Sequence, residues 1–550
     1  MKGEWKQRLV PAAILLSIAA LATVQSTQAQ TGEASGANLS VQVSFSSAVS
    51  ATPLTGRMFV VISRKDTVEP RLRVGRYGVQ LFGVDFVNLQ PGKQVTIDAS
   101  TLGYPVRSIP ELAPGDYTVQ AVLDKYTEFK RSDGHILWMH MDQWEGQDWR
   151  LSPGNSVSDL KHLTIRKGQR ETMTLSVNRV LPPLEAPKDT RWVKRIKIQS
   201  AILTKFWGQP IYLGATILLP KGYDEHPTVY YPTVYDQGHF SLAPPLRFRE
   251  NSDTYREWMS DDFPRFIVVT LQHPSPYFDD SYAVNSPNNG PYGDAIHTEL
   301  IPEIEKQFRC IPKSYARVLT GGSTGGWESF ALQVLYPDFY GGTWSFSPDP
   351  LDFRNVEGIN IYKDRNAFYK THEWYNIPTV NTRSPETGEA VLTSQQRNTM
   401  ELVKGTHGRS GEQLDIWSAV FGPVGDDGYF KPLFNKHTGE IDSSVAVYWK
   451  EHFDLRNYLQ THWKEVGPKL VGKLHVFCGR MDDFSLNFGV YYMEEFLEST
   501  RDPYYAGTVS YGQRGGHGWR PMTPTQLLRV MADHITQNAP PGSDVKAWKY

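Results

Sequence analysis

Cysteine is nearly missing from this chain, with two in 550 residues, Cys310 and Cys478. That excludes a disulfide-stapled scaffold and any Cys-rich zinc module. An excess of charge of one sign is missing too. Lys and Arg number 57 against 59 Asp and Glu, a formal net charge of −2, so the electrostatic footprint of a nucleic-acid binder is not present. No apolar run reaches the roughly 20 residues that span a bilayer. A phosphate-cradling loop is also lacking, because Gly321-Gly322-Ser323 has no following Lys. What is there is apolar content of 40% with 12% aromatics, enough for large cores and too much for general disorder. The length calls for more than one domain.

Residues 1–29 read as a signal peptide. Lys2, Lys6 and Arg8 make a positive start, Val10 to Val24 is a short apolar stretch broken by Pro11, and Thr27-Gln28-Ala29 offers small residues for cleavage. The expectation is a secreted or periplasmic protein with no membrane span once the signal is removed. An oxidising compartment would permit a disulfide. The reading places Cys310 and Cys478 at opposite ends of one sheet, however, so two free thiols are predicted.

The texture of the chain changes near residue 185. Over residues 38–180, short alternating runs such as Leu39–Phe45, Met58–Ile62, Val95–Ile97, Tyr117–Leu123 and Thr172–Val177 are separated by turn signals. They predict an all-β, immunoglobulin-like antiparallel sandwich. The Pro-rich stretch that opens residues 181–191 reads as a linker. Residues 192–540 alternate strands with amphipathic helices, which predicts an α/β domain with a sheet of eight strands. These are Arg195–Leu203, Ile211–Leu219, Tyr230–Tyr235, Phe266–Gln272, Arg317–Thr320, Thr343–Phe346, Leu474–Cys478 and Thr508–Tyr511. Helices are expected where Ile296, Leu300, Ile304 and Phe308, and then Trp327, Phe330, Ala331 and Val334, recur at helical spacing. Residues 349–468 stand out as a long irregular insertion, a lid over the domain.

The strand ending at Thr320 runs into Gly321-Gly322-Ser323-Thr324-Gly325-Gly326, with a helix after it. Gly-x-Ser-x-Gly in that setting is a nucleophile elbow. The turn forces a strained backbone on the serine, and glycines two residues either side avoid clashes. A serine hydroxyl needs a base, and the base an orienting acid, in the chain order Ser, acid, His. Gly479-Arg480-Met481-Asp482-Asp483 leaves one strand and Gly515-Gly516-His517-Gly518 follows the next. Ser323 is thus the candidate nucleophile, His517 the general base and Asp482 the acid, with Asp483 as the competitor for that place. His475 sits within a strand and reads as a packed core residue, and His273 follows a strand but precedes the serine. The oxyanion hole is assigned to the backbone N–H of Thr324 and, on the loop Asp236-Gln237-Gly238-His239, to that of His239.

Taken with Tyr292-Gly293-Asp294 and Glu299-Leu300-Ile301-Pro302, these motifs resemble the Putative esterase branch of the α/β-hydrolases. That branch includes S-formylglutathione hydrolases, feruloyl and acetyl-xylan esterases, enterochelin esterases and mycolyl transferases. The resemblance implies an α/β-hydrolase fold and carboxyl-ester chemistry through Ser323, His517 and Asp482, with no cofactor. The expected partner is a small-molecule or glycan-linked ester. An acyltransferase using the same three residues, or a catalytically silent glycan-binding protein, are the alternatives. No metal is expected: Asp294, His297 and Glu299 are close in sequence but do not share one helix face. In the insertion Trp374, Tyr375, Trp417, Phe421, Tyr429, Phe430 and Trp449 read as a small core, with stacking on sugar or aryl groups as the other possibility.

Overall fold

The computed structural model describes residues 37–550, so the signal-peptide reading lies outside the described residues. Among the described residues no helix is long and apolar enough to cross a membrane.

Residues 38–180 form a ten-stranded β unit. Its first strand, Asn38–Phe45, buries alternate side chains, as a half-covered strand must. The long strand Gly115–Lys130 pairs along one edge with Leu54–Ser63. Along its other edge it meets Lys161–Ile165, Ser156–Ser158 and Ile136–His140 in turn. Val41, Val43, Met58, Val60, Val119, Ala121, Leu175 and Val177 share one core. The sheet is therefore folded over on itself as a sandwich. The antiparallel expectation needs one correction, because Asn38–Phe45 and Arg170–Val180 pair in parallel. These two strands lie far apart in sequence, so no hairpin dictates their direction.

The second sheet has eight strands, β1 (Val193–Ser200), β2 (Ile211–Leu218), β3 (Thr233–Gln237), β4 (Ile267–Gln272), β5 (Arg317–Gly322), β6 (Gly342–Phe346), β7 (Leu474–Gly479) and β8 (Thr508–Gly512). Their spatial order is β1-β2-β4-β3-β5-β6-β7-β8. The pairs β1–β2 and β2–β4 are antiparallel and the remaining pairs parallel. This is the mixed sheet of an α/β-hydrolase, and each predicted strand has its counterpart in it. The main departure is at the first: Leu203 lies in a helix, Ala201–Trp207, because the Ser200 hydroxyl accepts from the Leu203 N–H and caps it.

The helix expected around Ile296–Phe308 is present over residues 292–307, but Ile296–Leu300 widens into a π turn. Pro302 lacks an N–H and its ring would clash with the Thr298 carbonyl in a regular helix. The metal candidates along it separate. Glu299 receives the Ser200 hydroxyl and the N–H groups of Ala201 and Ile202, while His297 is held by the Gly293 carbonyl and the Tyr340 hydroxyl. Cys310 and Cys478 are buried and unpaired.

Residues 349–468 are not irregular. They hold the hairpins Tyr369–Thr371 with Asn376–Pro378 and Val380–Arg383 with Ala390–Thr393. Helices Ser394–Lys404, Gln413–Phe421, Ser443–His452 and Leu455–Leu470 follow. Trp417, Phe421, Phe430 and Trp449 are buried, whereas Trp374 and Tyr375 are 84% and 62% exposed at a hairpin tip. The β unit braces this insertion: Arg57 donates to the carbonyls of Leu402 and Val403, and Asp85 pairs with both Arg57 and Arg409.

Candidate active site

β5 lies between β3 and β6 in the middle of the sheet and delivers Ser323 at its C-terminal end. Ser323 has φ 59° and ψ −122°, a conformation costly for any residue with a side chain. Three backbone bonds hold it there: its N–H to the Phe346 carbonyl at 2.9 Å, and its carbonyl to the N–H groups of Trp327 at 3.0 Å and Asp349 at 3.2 Å. The flanking glycines are needed for space. A Cβ on Gly321 would stand 2.3 Å from the Gly325 oxygen, and one on Gly325 would stand 2.0 Å from the Gln237 oxygen. Helix Thr324–Leu335 starts immediately, so the hydroxyl stands at a helix N-terminus whose dipole favours negative charge.

His517 follows β8 and meets the acid loop after β7. Its Nδ1 lies 2.8 Å from Asp482 Oδ2. Asp482 is fully buried, and its Oδ1 accepts the N–H groups of Phe484 at 3.0 Å and Leu486 at 3.2 Å, which fixes the carboxylate. Asp483 has a separate place: its Oδ2 accepts the His517 backbone N–H at 2.6 Å. The two neighbouring carboxylates divide the work, one on the ring and one on the backbone. Burial works against protonation of the His517 imidazole, but the Asp482 hydrogen bond and charge, then the charges of Asp349 and Asp483, raise it above its ordinary value. The Phe484 ring packs edge-on against it at 4.9 Å.

Thr324 is the first residue of its helix, and His239 follows β3. Gly238 between β3 and His239 has φ +150° with open space around its Cα, so glycine is required there for conformation, not for close approach. The His239 ring is half exposed and pairs with Asp279 Oδ1 at 3.0 Å. Although desolvation opposes charge on it, Asp279 holds this imidazole above its ordinary value.

The sequence reading missed the side chain that accepts from the Ser323 hydroxyl. The Ser323 hydroxyl donates to Asp349 Oδ1 at 3.4 Å, and no hydrogen bond joins it to His517. Asp349 is buried three residues past β6, and its Oδ2 accepts from Tyr282 at 2.5 Å, Thr324 at 3.1 Å and Gln413 at 3.0 Å. Burial pushes its carboxyl up, against the pull of the Tyr282 hydrogen bond and of His517 and His239. A signal existed, for Pro348-Asp349-Pro350 lies at the same strand edge as the elbow. Gln413 and Trp417, whose indole N–H donates to the Tyr282 hydroxyl at 2.5 Å, bring the insertion into this network. No local motif marks such contacts. Arg383, on the second hairpin of the insertion, donates to the Asp482 carbonyl at 2.9 Å and so braces the acid loop as well.

Residues 212–414 match the family described as Putative esterase. No curated protein matches the chain. Among solved structures, a ferulic acid esterase aligns at 16% identity with TM-score 0.35, covering 63% of this chain and 98% of that one. An S-formylglutathione hydrolase from Agrobacterium tumefaciens aligns at 12% with TM-score 0.33, covering 64% and 96%. A ferulic acid esterase from Anaeromyces mucronatus aligns at 14% with TM-score 0.30, covering 64% and 96%. With that match over residues 212–414, the eight-stranded domain has the α/β-hydrolase fold and the protein is an esterase.

Proposed function

We propose that the protein is an exported serine hydrolase of carboxyl esters, acting on a small-molecule or glycan-linked ester through Ser323, His517 and Asp482. The observation that carries this reading is the 2.8 Å contact of His517 Nδ1 with the buried Asp482 carboxylate, at the strand edge that also presents Ser323. With Nδ1–H donating to Asp482, Nε2 is the ring nitrogen left to take the serine proton. The Ser323 hydroxyl leaves Asp349 by rotating about its side-chain bond, passes its proton to His517 and attacks the ester carbonyl. The tetrahedral oxygen is stabilised by the N–H groups of Thr324 and His239. The imidazolium, steadied by Asp482, protonates the leaving alcohol and an acyl-enzyme remains. Water, activated by the same imidazole, then releases the acid and restores the serine.

The test is reaction of the purified protein with a fluorophosphonate, followed by a panel of acetyl, feruloyl and longer acyl esters. The native protein should label at Ser323 and hydrolyse members of the panel. Ser323→Ala should not label and should lose on the order of 10³-fold or more in turnover. Undiminished hydrolysis by that variant would show the reading to be wrong. The export part is checked separately, by sequencing the N-terminus of protein recovered outside the cytoplasm.

A further inference from the structure

Behind the reacting residues, one cluster of buried groups is left without partners. His273 directly follows β4, Asp280 lies on the loop beyond it, and Glu328 projects from helix Thr324–Leu335; each is 1% exposed or less. One donor-capable atom from each residue lies within 4.8 Å of the other two. His273 Nε2, Asp280 Oδ2 and both Glu328 oxygens are buried and receive no hydrogen bond from a surrounding donor, while burial and the close approach of the Asp280 carboxyl hold the Glu328 carboxyl well above its ordinary value. His273 Nε2 and Glu328 Oε1 stand 3.9 Å apart, beyond hydrogen-bond range. Buried carboxylates carry a heavy desolvation cost unless a donor or a cation answers them. The remaining atoms do have partners: Asp280 Oδ1 takes the Tyr282 N–H at 2.6 Å, and His273 Nδ1 meets the Ser281 hydroxyl at 2.9 Å and N–H at 3.3 Å. The imidazole lies between the two carboxyls, with Nδ1 3.9 Å from Asp280 Oδ1 and Nε2 3.9 Å from Glu328 Oε1.

We propose that His273, Asp280 and Glu328 form a binding site for a divalent first-row cation, zinc or manganese. One imidazole nitrogen with two carboxylates suits such ions, whereas calcium takes six to eight oxygens. Bonds of about 2.0–2.2 Å to each ligand require the three groups to close in by about an ångström, within reach of small side-chain rotations. Coordination through Nε2 requires the hydrogen to sit on Nδ1, where the Ser281 hydroxyl 2.9 Å away would have to turn and accept it in place of the Ser281 N–H that now donates there. The ion would clamp the loop after β4 to the helix that carries the nucleophile. That loop includes Tyr282, whose hydroxyl bonds Asp349. The site stands apart from the hydrolytic residues, so its test does not depend on them.

Protein produced in medium supplemented with zinc and manganese is desalted and its metal content measured by mass spectrometry. About one equivalent of one of the two ions per chain is expected. His273→Gln and Glu328→Gln should each hold at least ~10-fold less, while Asp294→Asn, outside the cluster, should hold as much as the native protein. Unfolding in chelator and refolding without metal should lower Tm by several degrees, and zinc or manganese alone should restore it. Less than about a tenth of an equivalent in the native protein, with Tm unmoved by either ion, overturns the proposal and leaves a carboxyl pair sharing a proton. So does full metal content in both ligand variants. If Glu328→Gln fails to fold, the native stoichiometry and the His273→Gln protein decide.

Discussion

Ser323, His517 and Asp482 stand at the ends of β5, β8 and β7, whose register is fixed by continuous backbone ladders. Residues 349–468 reach the same site by another route, through the side chains of Asp349, Arg383, Gln413 and Trp417. The strand edge therefore needs little from its cover to place the reacting groups. The cover needs its own aromatic core to place anything: Phe421 packs against Phe353, Trp449 and Phe453 with ring centres 5.2–5.5 Å apart. Changes at the edge should thus act on turnover and leave the fold intact, and changes in the insertion core should do the reverse.

The largest expected effect tests the edge. Asp482→Asn should cost on the order of 10⁴ in kcat with little change in Tm, because an amide cannot hold the imidazole in the needed tautomer. In the native protein the acid limb of kcat/KM should lie above the ordinary histidine value of about 6.5, since His517 must be unprotonated to act and its neighbours raise it. An acid limb well below that value would remove Asp482 from the role given to it. The contrasting variant is Trp449→Ala, which removes a 1% exposed indole from the insertion core. It should destabilise the protein by about 3–5 kcal/mol, read by denaturant unfolding. Its folded fraction should still label with a fluorophosphonate. Lost labelling in folded Trp449→Ala protein would break the division between edge and cover.

The same division explains what could be read from the sequence. The eight strands, the tight turn at Ser323 and the loops that bring His517 to Asp482 were legible because each rests on local pattern: alternation, glycine spacing, a polar residue just past a strand. His475, read as a core histidine, does stack on Trp344 at 4.8 Å, and burial lowers it to about 4. Asp349 was missed because its importance comes from Tyr282, Thr324 and Gln413, which only the tertiary fold brings to it. The insertion read as irregular for a related reason. Its elements are short hairpins and helices, and the β unit and helix Thr324–Leu335 supply surfaces they pack against. The widened helix turn at Ile296–Leu300 left no mark on apolar spacing, although Pro302 hinted at it.

Asp349 belongs to both regions, since it follows β6 yet is held by the insertion's Gln413. Its charge is among those that raise His517. Asp349→Asn removes that charge in a nearly equal volume, so the acid limb of kcat/KM should move to lower pH. An unmoved limb would show that the carboxyl is protonated in the working enzyme and acts only as a hydrogen-bonding post.

The smallest expected effect concerns the β unit. Arg76 lies over the Phe484 ring at 5.1 Å, and that ring in turn packs on His517 at 4.9 Å. The β unit therefore does more than brace the cover, for it places a guanidinium two contacts from the His517 ring. Arg76→Ala should lower kcat/KM by about two- to tenfold, in line with a partly exposed cation–π contact, and leave Tm nearly unchanged. An Arg76→Lys protein should recover only part of the loss, because an ammonium stacks less well on the ring than a flat guanidinium. If Arg76→Ala instead lowered Tm and spared kcat/KM, the β unit would be a brace alone, and the edge would be independent of it.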